Sequence, residues 1–176
     1  MRMAPSASGY LFTLATLAIT FVGFAALVII LRQTLGGQTS KLDVLLTRIF
    51  IQLGFLVAAG AMLPPMFALF PWREPLVWRL SSVVVAIPTL LFALSYPARR
   101  RAASGQRTPA KVWLDVLVLV LAAAGLLANG TGAAGASGPA LFATSLTAIL
   151  GLSGWAYLQA LNILLRQHWR RVEHER

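Results

Sequence analysis

Cysteine is absent from this chain and carboxylates are nearly so. Asp43, Glu74, Asp115, Glu173 and Glu175 are the full acidic set in 176 residues, against fifteen lysines and arginines. The first absence excludes disulfides, thiolate metal sites and cysteine nucleophiles. The second leaves no carboxylate pair for acid–base catalysis within an apolar stretch, because Asp115 is the sole acidic residue well inside one. Histidine is confined to His168 and His174 near the C-terminus, which argues against a bis-histidine haem or zinc chemistry at membrane depth. No glycine loop has phosphate-binding spacing, since "LGGQTS" and "GQTSK" lack it. Charge of either sign is scarce: 11% of the residues carry one, against about a quarter in a soluble domain.

What is present is apolar. Hydrophobic residues make up 58% of the chain, and the mean hydropathy is +0.76. A soluble core of this size would leave too much of that surface in water, whereas a bilayer accommodates it. Crossing the hydrocarbon takes about 20 helical residues. Five segments qualify: 10–31, 44–70, 76–97, 110–129 and 140–165. Only helices satisfy their own backbone in lipid at these lengths. The expected fold is therefore an all-α integral membrane bundle of five transmembrane helices in one domain, followed by a basic tail, 166–176. The first segment resembles a signal sequence, but its apolar run is long and ends in Arg32 without a small-residue cleavage site, so it reads as a retained span.

The connections carry suitable chemistry. Asp43 is placed to cap the second helix or sit in its first turn. Pro75 suits the first helical position after "FPWREP", and Thr108 with Pro109 opens the fourth helix. Orientation follows from the basic residues. Arg32, Lys41, Arg48, Arg99, Arg100, Arg101, Arg107, Lys111, Arg166, Arg170, Arg171 and Arg176 fall on one side, and Arg2, Arg73 and Arg79 on the other. The positive-inside rule then puts the N-terminus outside and the C-terminus in the cytoplasm. Trp72 and Trp78 fall at the outer interface, Trp113 and Trp169 at the inner one. Arg99, Arg100, Arg101, Arg170 and Arg171 are expected to contact anionic lipid headgroups rather than nucleic acid, since the basic residues lie between apolar spans. Arg79 is expected to snorkel to outer headgroups or bond Glu74.

Two features interrupt the spans. Pro64 and Pro65 in the second and Pro88 in the third each remove a backbone donor, so a kink is expected at each. Polar residues enter the hydrocarbon from the cytoplasmic ends. At ~1.5 Å per residue, Asp115 lies about 9 Å in, Arg48 about 7.5 Å, Gln52 about 13 Å, Asn162 about 6 Å and Gln159 about 10 Å. Charged groups at such depth commonly face the bundle interior and pair. An Asp115–Arg48 pair is expected, with Gln52, Gln159 and Asn162 as neighbours. The cluster would serve as a vestibule or binding site for an ion or small anion, or as glue between the second, fourth and fifth helices. A third alternative lets Arg48 snorkel while Asp115 pairs with Lys111, one turn earlier.

"GLSG", Gly151 to Gly154, matches a short serine signature of rhomboid-type intramembrane proteases, but no histidine lies within reach in the membrane. Small residues there, and at Gly54/Ala58 and Ala156/Ala160, point instead to close helix packing. The stretches "FVGFAALVIILRQTLGG" and "VWRLSS" resemble small multi-pass proteins of bacterial genomes, a resemblance that supplies no activity. The expectation is a non-enzymatic multi-pass protein of the bacterial inner membrane, without a cofactor. It would act as a homo-oligomer or as an accessory subunit with other membrane chains. The alternative is a channel or transporter subunit using the cytoplasmic-leaflet polar cluster.

Overall fold

The computed structural model describes residues 5–34, 41–105, 109–133 and 135–174; side chains beyond residue 159 lie outside it. The described chain is all-helical. Its elements are α1 (Pro5–Thr34), α2 (Lys41–Phe67), α3 (Glu74–Ser104), α4 (Ala110–Thr131) and α5 (Gly138–His174), with one short 3₁₀ turn at Gly135–Ser137 before α5. All five α-helices are long and apolar enough to cross a membrane.

Helix α3 packs on α4, α4 on α5, α5 on α2 and α2 on α3, so these four close a bundle, and α1 lies outside it against α2. The core runs between them as one cluster, with Leu53 and Val57 of α2, Val85 of α3, Leu119 and Leu126 of α4, and Phe142, Leu146 and Ile149 of α5 all fully buried. The outward faces are apolar as well: Phe24, Leu27, Phe55, Leu91, Leu94, Leu117 and Leu121 are more than half exposed. Isolated exposed leucines are normal on any protein, but apolar residues around the whole circumference suit lipid, not water.

Local sequence explains how the elements meet. On α1, Leu11, Leu14, Ala15, Ala18, Val22 and Ala25 are buried, a spacing of threes and fours that lays one stripe on α2. The stripe comes close because α2 offers Gly54. A Cβ there would collide with Val22, and the Ala18 carbonyl lies 3.6 Å from that position. Sequence-level packing at Gly54/Ala58 is thus realised, Ala58 being buried too. Helix α3 opens with Glu74 and Pro75 and closes at Gly105, whose φ of 64° and N–H to the Arg101 carbonyl make a left-handed cap. Helix α4 ends the same way at Gly132, φ 85°.

Boundaries differ from the sequence expectation at several ends: α1 begins at Pro5 rather than 10, and α5 runs to His174 rather than 165. Helix α2 stops at Phe67, not 70, because Pro64 and Pro65 fall in its last turn and withdraw two consecutive donors from the helix ladder. Helix α3 runs on past 97 to Ser104, continuing through both Pro88 and Pro97. Asp43 falls in the first turn of α2, its side chain outside the described residues, as is Thr108.

Candidate functional site

Polar groups gather at the two ends of the bundle. At one end α3 delivers Tyr96, Arg99 and Arg100, and α4 begins. Asp115 is 9% exposed. Its carboxylate Oδ2 accepts from the Tyr96 hydroxyl at 3.5 Å, and that hydroxyl accepts from Arg100 Nη1 at 3.2 Å. The result is a guanidinium–phenol–carboxylate chain across the α3–α4 contact, with the Arg100 charge near enough to act on Asp115. The Tyr96–Asp115 separation is long for an O–H···O bond, whose usual distance is nearer 2.7 Å. Local order follows from the helix period: Tyr96 and Arg100 are four apart and share a face of α3.

This geometry corrects the pairing expected from depth alone. Arg48 is exposed on α2 and Lys111 is exposed on α4; the hydrogen-bond partner of Asp115 is Tyr96 of α3. Helix α4 packs chiefly on α3 and α5, so Arg48 of α2 and Asp115 of α4 do not share a side of the bundle. Gln52, half-buried, accepts instead from Arg99 Nη1 at 3.5 Å, and Arg99 also lies 5.8 Å from the Phe92 ring centroid. Gln159 is half-buried on α5, and the side chain of Asn162 is outside the described residues. Among the expected headgroup contacts, Arg99 and Arg101 are exposed, whereas Arg100 is drawn half inside by Tyr96; Arg170 and Arg171 fall outside the described side chains.

At the other end Asn129 of α4 ties three helices together. It is 3% exposed, and its Nδ2 donates to Ser82 Oγ of α3 at 2.7 Å and to the Gly138 carbonyl of α5 at 3.0 Å. Trp78, expected at the interface, is instead buried edge-on to Phe142, ring centroids 5.8 Å apart. Arg79 is exposed, and its guanidinium lies over the backbone of Gly132 rather than bonding Glu74.

Between α1 and α5 runs a third feature, a groove of about 610 Å³. Leu14, Leu17 and Phe21 form one wall, Leu150, Trp155 and Leu158 the other, and the hydroxyls of Tyr10, Thr13, Thr147 and Tyr157 add a few polar groups. The Tyr10 and Thr147 hydroxyls meet across it at 2.6 Å. Gly151 and Gly154 line it, and a Cβ on either would meet nothing within 4 Å. Within "GLSG" the serine is the residue that packs: Ser153 is buried and donates to the Phe50 carbonyl of α2 at 3.3 Å. The two glycines face the other way, onto the groove.

Tyr96, Ser82 and Asn129 were not singled out from sequence. The four-residue spacing of Tyr96 and Arg100 was the one available clue; Asn129 is disguised within the small-residue run that joins α4 to α5. Comparison with protein-family models, curated proteins and solved structures finds no match for the chain.

Proposed function

We propose that the protein is a non-enzymatic multi-pass subunit of the bacterial inner membrane that assembles with further transmembrane helices, in the first place those of a second copy. Its N-terminus is outside and its C-terminus cytoplasmic, a reading that rests on the basic residues around Arg99–Arg101 and in the C-terminal tail. The observation that carries the assembly reading is the α1–α5 groove, where Gly151 and Gly154 leave open space between walls of leucine and aromatic side chains. Lipid tails solvate leucine as well as another helix does, so association in a membrane depends on close backbone approach and good packing. Glycines already buried against a neighbour, such as Gly54, serve the chain's own fold; Gly151 and Gly154 have no such neighbour and supply that approach to a partner. The conduit alternative asks Arg48, Gln52, Asp115, Gln159 and Asn162 to surround one path. It draws less support, because Asp115 is engaged with Tyr96 of α3 while Arg48 is exposed on α2.

The absence of native cysteine makes a clean test possible. Gly154→Cys, oxidised in native membranes, is expected to give a disulfide-linked species of twice the 18.9 kDa chain mass. A cysteine at Leu91, on the lipid-facing surface of α3, is expected to give none. Equal cross-linking at both positions, or at neither, would count against the groove as the contact.

A further inference from the structure

At the end of the bundle opposite Asp115, the α2–α3 turn, the start of α3, the end of α4 and the start of α5 enclose a cavity of about 640 Å³. A second space of about 360 Å³ adjoins it, sharing the walls formed by Trp72, Glu74 and Trp78. The first is within the range of small-molecule sites, about 300–1,000 Å³. Its wall chemistry is one-sided. Trp72 and Trp78 supply apolar surface, Arg73 and Arg79 two guanidinium groups, and Glu74 the single carboxylate.

One wall group has a hydrogen-bonding capacity the fold does not use. Trp78 is 4% exposed, and its indole Nε1–H, fully buried, has no acceptor among the described residues. Buried N–H groups are nearly always paired, because leaving one unpaired forfeits its hydration without return. The nearby amide of Asn129 donates through Nδ2 to Ser82 and to the Gly138 carbonyl, holding the cavity's far wall in place. Toward a ligand the wall thus offers one unused N–H and two guanidinium groups against the one carboxylate of Glu74, a balance that favours an anionic acceptor on an apolar body.

We propose that this cavity is a binding site for an amphipathic oxyanion. Its phosphate or carboxylate oxygen would accept from Trp78 Nε1–H and pair with Arg79 and Arg73, while its apolar part lies against Trp72. The same chemistry is available from a lipid headgroup or from a free solute. The site does not depend on assembly through the α1–α5 groove.

The test uses the full-length protein in phosphatidylcholine nanodiscs. Hexyl phosphate is titrated by calorimetry, and a parallel sample containing 20% phosphatidylglycerol, on the order of one lipid in five as in anionic membranes, is examined by native mass spectrometry for retained lipid. Saturable binding of at least one probe is expected. Trp78→Phe keeps an aromatic ring beside Phe142 while removing the N–H together with part of the indole; Arg79→Gln alters an exposed residue and leaves the core untouched. Each is expected to weaken binding about tenfold, whereas Tyr96→Phe at the opposite end is expected to leave it unchanged. Binding of hexyl phosphate identifies a free solute as the source, and phosphatidylglycerol retained without it identifies a headgroup. Saturation by neither probe, or affinity unaltered in both variants, would overturn the proposal.

Discussion

At the scale of single residues, the chain Arg100–Tyr96–Asp115 shows how a carboxylate is kept inside an apolar helix bundle. Among the described residues no guanidinium touches Asp115 directly; a phenol stands between the charges and serves both, donating to one and accepting from the other. That makes the middle residue the sensitive one. Tyr96→Phe leaves a buried carboxylate without its donor and is expected to cost about 1–3 kcal/mol in unfolding free energy. Asp115→Asn still offers an acceptor to Tyr96, and Arg100 is half-buried and keeps access to solvent, so that change is expected to cost under about 1 kcal/mol. Denaturant unfolding of both variants in one detergent checks the order. A larger loss from Asp115→Asn would mean that the charge of Asp115, not its hydrogen bond, holds α3 to α4. This site was only half legible in the sequence. Depth along a helix can be counted from its end, and Asp115 does lie near the start of α4. Azimuth cannot be counted without knowing which helices are neighbours, and there Arg48 and Asp115 part.

At the scale of elements, number and type of helix were legible because length, continuous apolarity and the need for internal backbone satisfaction leave no other solution. Boundaries were less so, for a physical reason. Hydropathy reports where the apolar stretch ends, not where the helix does: α3 carries Arg99, Arg100 and Arg101 on a further two turns and stops only at Gly105. Conversely, two adjacent prolines end α2 while the sequence is still apolar. Helix α1 is attached by one stripe against α2 and by a smaller contact with α5. Gly54→Leu places a side chain where Val22 already sits, and overpacking of this kind costs about 1–3 kcal/mol. The variant is expected to fold as the α2–α5 bundle with α1 loosened, seen as faster proteolysis between residues 35 and 40 in detergent. Unchanged cleavage would show that α1 is held elsewhere, for instance by the Tyr10–Thr147 bond to α5.

At the scale of the whole molecule, the described side chains fall into a filled interior and an apolar exterior. Phe50, Phe142, Leu53 and Leu146 occupy the space between helices that a pathway would need, which is why the assembly reading locates function between chains instead of along the axis of one. The groove itself was beyond the reach of sequence: "GLSG" announced small residues, but only the packing of α5 separates Ser153, which faces α2, from Gly151 and Gly154, which face out. The most direct test of the central claim is the mass of the particle in nanodiscs, determined for the wild type and for Gly151→Leu with Gly154→Leu. The account predicts a wild-type particle containing two or more chains of 18.9 kDa and a variant reduced to one, still folded because the added side chains enter open space. A wild-type particle holding a single chain and no other protein, or an assembly indifferent to both substitutions, would contradict it.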